Sequence, residues 1–313
     1  MTNNSRIAVT GASGSIGTQL VERLAESPAT ETILGLDIRR PTAFGNNIFS
    51  HRHSVTDSVE HLLRHYGITT VVHLAFQLKP NRDRSAARAT NVGGTAQILK
   101  DCIAAKIQHL IYLSSTTVYG TNKDDASLFT EDDPLNPVQG FQYAEDKAET
   151  ERLLSCHDSG EPSFPITTLR SCIVMGPHSA NFITSALAKP ALIGIRGYDP
   201  PMQFLHEKDL LSVICKFIKE PRKGTYNVAG SGNIPYSELA RLAGRPLIWL
   251  PAMAAYALTQ TSWSLRLQSD SPAIGLDLIR WPWLANTDKL AREFGFHGAS
   301  TSREAILDSR LPR

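Results

Sequence analysis

The sequence is poor in the features that mark a secreted, nucleic-acid-binding or metal-stapled chain. It has four cysteines in 313 residues, Cys102, Cys156, Cys172 and Cys215, and no CxxC pair. That excludes a disulfide scaffold and fits a reducing cytoplasm. Charge is nearly balanced: 32 Lys and Arg against 30 Asp and Glu leave a formal +2. No Lys/Arg run interrupts the mixture, so nothing asks for nucleic acid. The N-terminal MTNNSRIAVTGASG has no apolar core ahead of its first strand-like run, and no secretion leader is expected. No GxSxG occurs, which removes the nucleophile turn of a Ser–His–Asp hydrolase. His51 and His53 stand close together, but no third ligand follows at a suitable spacing, so no metal is expected.

One long stretch lacks charge. Pro246 to Leu265, PLIWLPAMAAYALTQTSWSL, runs 20 residues, long enough for a spanning helix. Pro246 and Pro251 interrupt its start, and Thr259, Gln260, Thr261, Ser262 and Ser264 make its second half polar. It also lacks the basic face of a helix lying on a membrane. The expectation is a buried or lid-forming helix beside an apolar pocket, with no spanning segment.

What is present is an ordinary globular composition, 42% hydrophobic and 20% charged, in a strong alternating pattern. RIAVTG reads as a strand running into a glycine turn. IGTQLVERLAE places Ile16, Leu20, Val21 and Leu24 on one helical face. TILGLD, TTVVHLA, HLIYLSS and ITTLRSCIV read as further strands. SVEHLLRHYG, ATNVGGTAQILKDCIAAK and the segment starting at Gln142 read as helices. Alternating strands and helices with continuous apolar strands predict an α/β fold: a doubly wound parallel sheet covered on both faces. After about residue 176 prolines and glycines cluster, and the C-terminal part predicts a smaller, irregular lobe. A helix EKDLLSVICKFIKE and a strand GTYNVAG return within it.

Between the first strand and first helix lies TGASGSIG, with Gly11, Gly14 and Gly17 spaced GxxGxxG. The first glycine permits a tight turn. Absence of a side chain at the glycines lets a pyrophosphate approach the backbone of Ser13, Gly14, Ser15 and Ile16 at the helix N-terminus, where unpaired N–H groups and the helix dipole favour it. The position after a strand and before a helix is what the dinucleotide reading requires. The second strand ends at Asp37, 20 residues beyond Gly17. An acid there can bond both ribose hydroxyls and repels a 2′-phosphate, which favours NAD over NADP. Ile38 and Arg39 flank it, and Arg39 with Arg40 keeps a phosphate contact open.

In QYAEDKAETERLL, Tyr143 and Lys147 are four residues apart and share a helix face. Taken alone, that spacing recurs by chance on amphipathic surface helices. With the rest of the chain it resembles the extended branch of the short-chain dehydrogenase/reductase superfamily, the NAD-dependent epimerase/dehydratase family. The resemblance rests on TGASGSIG, Asp37, VVHLA ending at Ala75, TNVGGT with Asn91, LSSTTVYG with Ser115, and YAEDK. LRSCIVMGP, QFLHEKDLL and DKLAREFGF follow in the family's order, and the match runs from residue 6 to about 230.

The resemblance implies a catalytic set of Ser115, Tyr143 and Lys147. It implies that Ser54 and Val55 touch adenine, although the family commonly has Asp where Ser54 stands. It places Leu74, Ala75 and Phe76 along the cofactor, Leu113 and Ser114 at the strand end beside it, and Asn91 as a brace. It divides the chain into a Rossmann domain at 1–175 and a substrate-binding lobe at 176–313, with about 203–230 returning to the former. It also implies a homodimer built from the Asn91 and Tyr143 helices. A free tyrosine, with pKa near 10, is a poor base at neutral pH, and an adjacent lysine cation is expected to lower that value.

The substrate is less determined. The family's nucleotide-sugar epimerases often have Asn where Ile173 stands and Arg near Met202, so two diphosphate contacts are replaced by apolar residues. Arg196 and Arg280 are the candidates to compensate. Trp249, Tyr256, Trp263, Trp281 and Trp283, with the uncharged segment, suggest an apolar pocket. The reading is an NAD-dependent epimerase or oxidoreductase acting at a hydroxyl or keto carbon, of a nucleotide sugar in the first instance. The alternative is a dehydrogenase of a hydrophobic alcohol or ketone, like the family's steroid-dehydrogenase relatives. Some relatives are NAD-sensing binding modules without catalysis, and they typically lose the Tyr or Lys that this chain keeps.

Overall fold

A computed structural model describes residues 5–40, 45–78, 83–123, 127–158, 164–268 and 270–309. The elements run β1 Ser5–Thr10, α1 Ser15–Ala25, β2 Thr30–Asp37, β3 Ile48–Arg52, α2 Glu60–His65, β4 Thr70–His73, α3 Arg84–Arg88, α4 Gly94–Ala105, β5 His109–Ser115 and α5 Gln142–Asp158. Then follow β6 Ile166–Ser171, β7 Ile173–Met175, α6 Phe182–Leu187, β8 Leu192–Ile195, β9 Pro201–Met202, β10 Phe204–His206 and α7 Glu207–Lys219. The chain closes with β11 Gly224–Val228, β12 Ile234–Pro235, α8 Tyr236–Leu242, β13 Leu247–Leu250, α9 Ala252–Ser264, α10 Asp288–Phe294 and α11 Ser302–Leu307.

Seven parallel strands form the central sheet in the order β11-β6-β5-β4-β1-β2-β3. The order reverses between β1 and β4, which opens a crevice at the carboxyl ends of the strands. Side chains alternate to two buried faces, as helices on both sides require. Ile7, Val9 and Ile33 pack with Leu20, Leu210 and Phe217 on one face. Ala8, Leu34 and Val71 pack with Leu63, Ile98 and Leu154 on the other. A third cluster, containing Ile183, Leu187, Met202, Leu239 and Trp283, holds the C-terminal lobe together.

Three expectations change. The run ITTLRSCIV is two strands instead of one. The backbone leaves the central sheet at Cys172, whose N–H donates to Val228 O at 3.0 Å, and Ile173–Met175 then pairs with β10. The Asn91 segment is a π-turn, Ala89–Gly93, set between α3 and α4, instead of an unbroken helix. The uncharged 246–265 stretch is not buried: it forms β13 and the 13-residue α9, where only Ala255 is buried and Met253 is 87% exposed. Among the described residues no helix is long and apolar enough to cross a membrane.

Candidate active site

The turn after β1 is built on glycine for two distinct reasons. Gly11 has φ +73°, and a side chain there would lie 2.8 Å from Ala75 N. Gly17 has ordinary helical backbone, but a Cβ would stand 2.1 Å from Gly11 O. Larger residues would therefore fill the cradle between the turn and the β4 end, or push the helix off it. Helix α1 begins at Ser15 after Gly14, so the N–H groups of Ser15, Ile16 and Gly17 lie in its first turn, without intrahelical acceptors. These residues fit a pyrophosphate.

Asp37 closes the turn from the next strand. It is 8% exposed, and its carboxylate accepts from Ser13 N at 3.0 Å and Arg39 N at 2.9 Å. The Arg39 guanidinium lies 3.6 Å from the same carboxylate and donates to Ser13 O at 2.8 Å. Asp37 and Arg39 thus act as one clasp on the glycine turn. Ile38 beside them is 64% exposed. The end of β3 joins this rim, since His53 N donates to Asp37 O at 2.8 Å. Ser54 there is bonded to Thr56, and Val55 packs against Gly94. His51 is bonded to Tyr66 at 3.0 Å.

On the other side of the crevice, α5 brings Tyr143 and Lys147 against the end of β5. The Tyr143 hydroxyl meets that of Ser115. Ser115 Oγ accepts from Thr117 N at 3.2 Å and from Thr117 Oγ1 at 3.0 Å. With both acceptor positions taken, the Ser115 proton points outward, toward Tyr143 or a substrate oxygen. The Lys147 ammonium donates to Leu113 O at 2.6 Å and sits 3.6 Å from the Phe76 ring centroid. Strand β4 has ended at His73, opposite Tyr112, so the Leu113 carbonyl on that side is available. Asn91 braces the group from the π-turn: its amide donates to Asp146 at 3.0 Å and accepts from Gln77 N at 2.8 Å. Ser114, in contrast, turns its hydroxyl into the protein, to Glu151.

The expected lowering of the tyrosine is not what this arrangement produces. Burial pushes Tyr143 up to about 12, with the Ser115 hydrogen bond opposing. Burial also pushes Lys147 down to about 7, opposed by Glu151. The reason is geometric. The Tyr143 ring is set among Phe76, at 5.6 Å between centroids, and Phe141, at 6.1 Å. The ammonium lies 5.9 Å from the Tyr143 centroid and is turned to Leu113 and Phe76. Desolvation of both groups outweighs their mutual attraction.

The far wall of the crevice is apolar. Phe141, Ile173, Met175 and Met202 are buried in one cluster, and Tyr143, Phe182 and Ile274 pack against it. Met202 also lines a narrow cleft with Cys172, Pro201, Gln203, Trp283 and Leu284. The tryptophans do not share one pocket: Trp283 is buried with its Nε1 bonded to Leu278 O, while Trp249 is 38% exposed. Arg280 bonds Tyr198 at 3.0 Å and stacks on Trp281, and Arg196 is exposed.

Sequence reading missed a buried polar network behind these groups. Glu151, Arg170, Tyr119 and Asn227 are hydrogen-bonded in a chain that crosses α5, β6 and β11. The only sequence signal was the position of Glu151, four residues after Lys147. Thr117, which orients Ser115, gave no signal beyond its nearness.

Comparison with known proteins agrees with the fold. The model of the NAD dependent epimerase/dehydratase family matches residues 7–229. An uncharacterised protein of Mycobacterium tuberculosis is 26% identical over 313 residues, covering 96% of this chain and 82% of its own. The dTDP-D-glucose 4,6-dehydratase of Homo sapiens is 27% identical over 260 residues, covering 75% of this chain and 72% of its own. The solved structure of the Bordetella bronchiseptica enzyme WbmG, in complex with NAD and UDP, superposes with a TM-score of 0.74 at 22% identity, covering 97% of this chain and 92% of that one.

Proposed function

Since the chain belongs to the NAD-dependent epimerase/dehydratase family, we propose that it binds NAD at the glycine turn and moves a hydride to or from a hydroxyl or keto carbon beside Tyr143. The observation that carries this reading is the convergence of Ser115, Tyr143 and Lys147 at the β5 end, across the crevice from the Gly11–Gly17 cradle. When bound, NAD supplies the hydride acceptor and, in its oxidised form, a positively charged ring.

The chain's own residues handle the rest. Gly11 to Gly17 receive the pyrophosphate, and Asp37 receives the adenosine ribose, with Ile38, Ser54 and Val55 beside the base. Leu74, Ala75, Phe76 and Leu113 line the path to Tyr143. Ser115 holds the reacting oxygen by a hydrogen bond, and Tyr143 takes its proton in oxidation or returns it in reduction. Lys147, held on Leu113 O beside Tyr143, is the residue to bond the nicotinamide ribose and so fix the cofactor. We read residues 1–175 as the cofactor-binding part and 176–313 as mainly the substrate lobe, with about 203–230 returning to the sheet. We place the protein in the cytoplasm, and we read α4 and α5 as the faces of a homodimer.

The substrate we favour is a nucleotide sugar, because the human relative and WbmG have nucleotide-linked names or ligands. A specific observation supports a second reading, oxidation of a hydrophobic alcohol or reduction of its ketone. Ile173 and Met202, where family epimerases often have Asn and Arg, are both buried in the apolar cluster that meets Tyr143. The absorbance spectrum and acid-extracted nucleotide of freshly purified protein test the two. Stoichiometric NAD that survives gel filtration fits an internal redox cycle on UDP- or dTDP-sugars. Protein that binds added NADH reversibly and turns over apolar alcohols fits the second. No NAD or NADH binding in either form rejects both.

A further inference from the structure

The last residues of β5 hold α5 by consecutive rungs. Leu113 O accepts from Lys147, Ser114 donates to Glu151, and Ser115 meets Tyr143. The helix residues are four apart, so they lie on one face, and the strand offers one grip to each. Two of these rungs belong to the proposed chemistry. The middle one, Glu151, is 4% exposed and touches nothing that reacts. It is nonetheless the most firmly held. Arg170 donates to it from Nε at 3.0 and 3.2 Å and from Nη2 at 2.8 Å. Arg170 is fixed in turn by donating to Tyr119 Oη at 2.7 Å and Glu131 O at 3.2 Å. Tyr119 donates to Asn227 Oδ1 at 2.7 Å, on the sheet's edge strand.

We propose that Glu151 is a positioning residue for this site: gripped by Arg170 and Ser114, it favours the ammonium form of the Lys147 side chain, one turn from Tyr143. The proposal rests on the reading of Lys147 given above.

The surroundings of Lys147 show why a carboxylate is needed. From β4 it faces His73, a neutral ring pushed down to about 3 by burial and bonded to Thr10 and Thr95, and beyond the strand the Phe76 ring. From β5 it faces the Tyr112 ring at 4.7 Å and the Ser115 hydroxyl region. On its own helix stand Tyr143, Asp146 and Glu151. Asp146 is raised by burial, is bonded to Asn91 and has Arg88 3.9 Å away. Burial lowers the lysine, and Glu151, one turn along the same helix face, opposes it. Arg170 neutralises Glu151 in part, and the double variant described below measures what the pair leaves at the lysine. Glu151 thus opposes the desolvation that drives the amine toward its neutral form.

The test titrates Lys147 directly, in the full chain, by NMR of ¹³Cε-lysine, with Lys147→Met assigning its signal. Glu151→Gln keeps shape and hydrogen bonding but removes the charge. Its Lys147 midpoint is expected about one pH unit below that of the wild-type chain titrated alongside it. The neutral pair Glu151→Gln/Arg170→Met removes both charges and is expected between the two. A wild-type midpoint in the folded double variant overturns the proposal, and it decides the matter alone if the single variant does not fold. A midpoint lowered in both supports it. Turnover separates this from the catalytic reading: Lys147→Met with unchanged NAD binding and turnover rejects that reading whatever the titrations show.

Discussion

Facing Tyr143 from the glycine turn, the protein presents backbone: amides of the α1 N-terminus, the Gly11–Ala75 approach, and an Asp37 carboxylate held by two main-chain N–H groups. Facing it from the opposite wall, the protein presents side chains: Phe141, Ile173 and Met202 in one apolar cluster, with Phe182 packed against it. The first wall is made by residues close in sequence, and its shape follows from where glycine is obligatory. The second is assembled from distant segments, and its shape depends on packing. On the proposed reading, a wall of backbone would recognise what its ligands share, a phosphate and a ribose. A wall of side chains can be rewritten for each substrate.

The contrast can be broken most sharply at the group between the walls. Tyr143→Phe is expected to lower kcat about 10²- to 10⁴-fold while NAD affinity stays near wild type. Turnover and NAD titration on one preparation check it, and unchanged biological activity would favour a sensing module. Next comes the seam behind the walls. Arg170→Met leaves the Glu151 carboxylate buried without its cation and is expected to cost about 3–5 kcal/mol of stability. Urea unfolding reads that loss. Gly17→Ala tests the backbone wall: with a Cβ 2.1 Å from Gly11 O, it is expected to weaken NAD binding about tenfold or more, equivalent to about 1.4 kcal/mol. Isothermal titration measures it. The lobe offers the mildest test. Asn181 caps α6 in a capping box with Thr184, and Asn181→Ala is expected to cost about 1 kcal/mol with NAD affinity unchanged. A large loss of NAD affinity there would show that the two walls are not separable.

The same contrast explains what the sequence made legible. The β1–turn–α1 unit, the acid ending β2 and the Tyr143–Lys147 face are local patterns, and the structure brings them to one crevice. The break at Cys172 was hidden because ITTLRSCIV is apolar throughout, and period alone does not say which sheet a residue joins. The π-turn at Asn91 was hidden inside a helical pattern, since one extra residue per turn leaves no compositional mark. Glu151, Arg170 and Asn227 come together only through β-sheet pairing across long sequence separations. For the uncharged 246–265 stretch, lack of charge predicted a buried or lid-forming helix, and the burial half of that reading fails: only Ala255 of α9 is buried. The lysine's effect on Tyr143 was misjudged because a sequence shows the neighbour but not the desolvation of both.

The path of the chain past Cys172 has a consequence for dissecting the molecule. Strand β6 lies between β5 and β11, and β11 arrives only after the chain has built β7 to β10 and α7. A fragment ending near residue 175 would present β6 as an open strand edge, its N–H and C=O groups unpaired, and would lack the α7 face that covers Ile7, Val9 and Leu169. Such a fragment is a template for self-association. The interleaving ties the integrity of the half that carries the glycine turn to completion of the C-terminal half, so evolution can vary the latter only within what the shared sheet will tolerate.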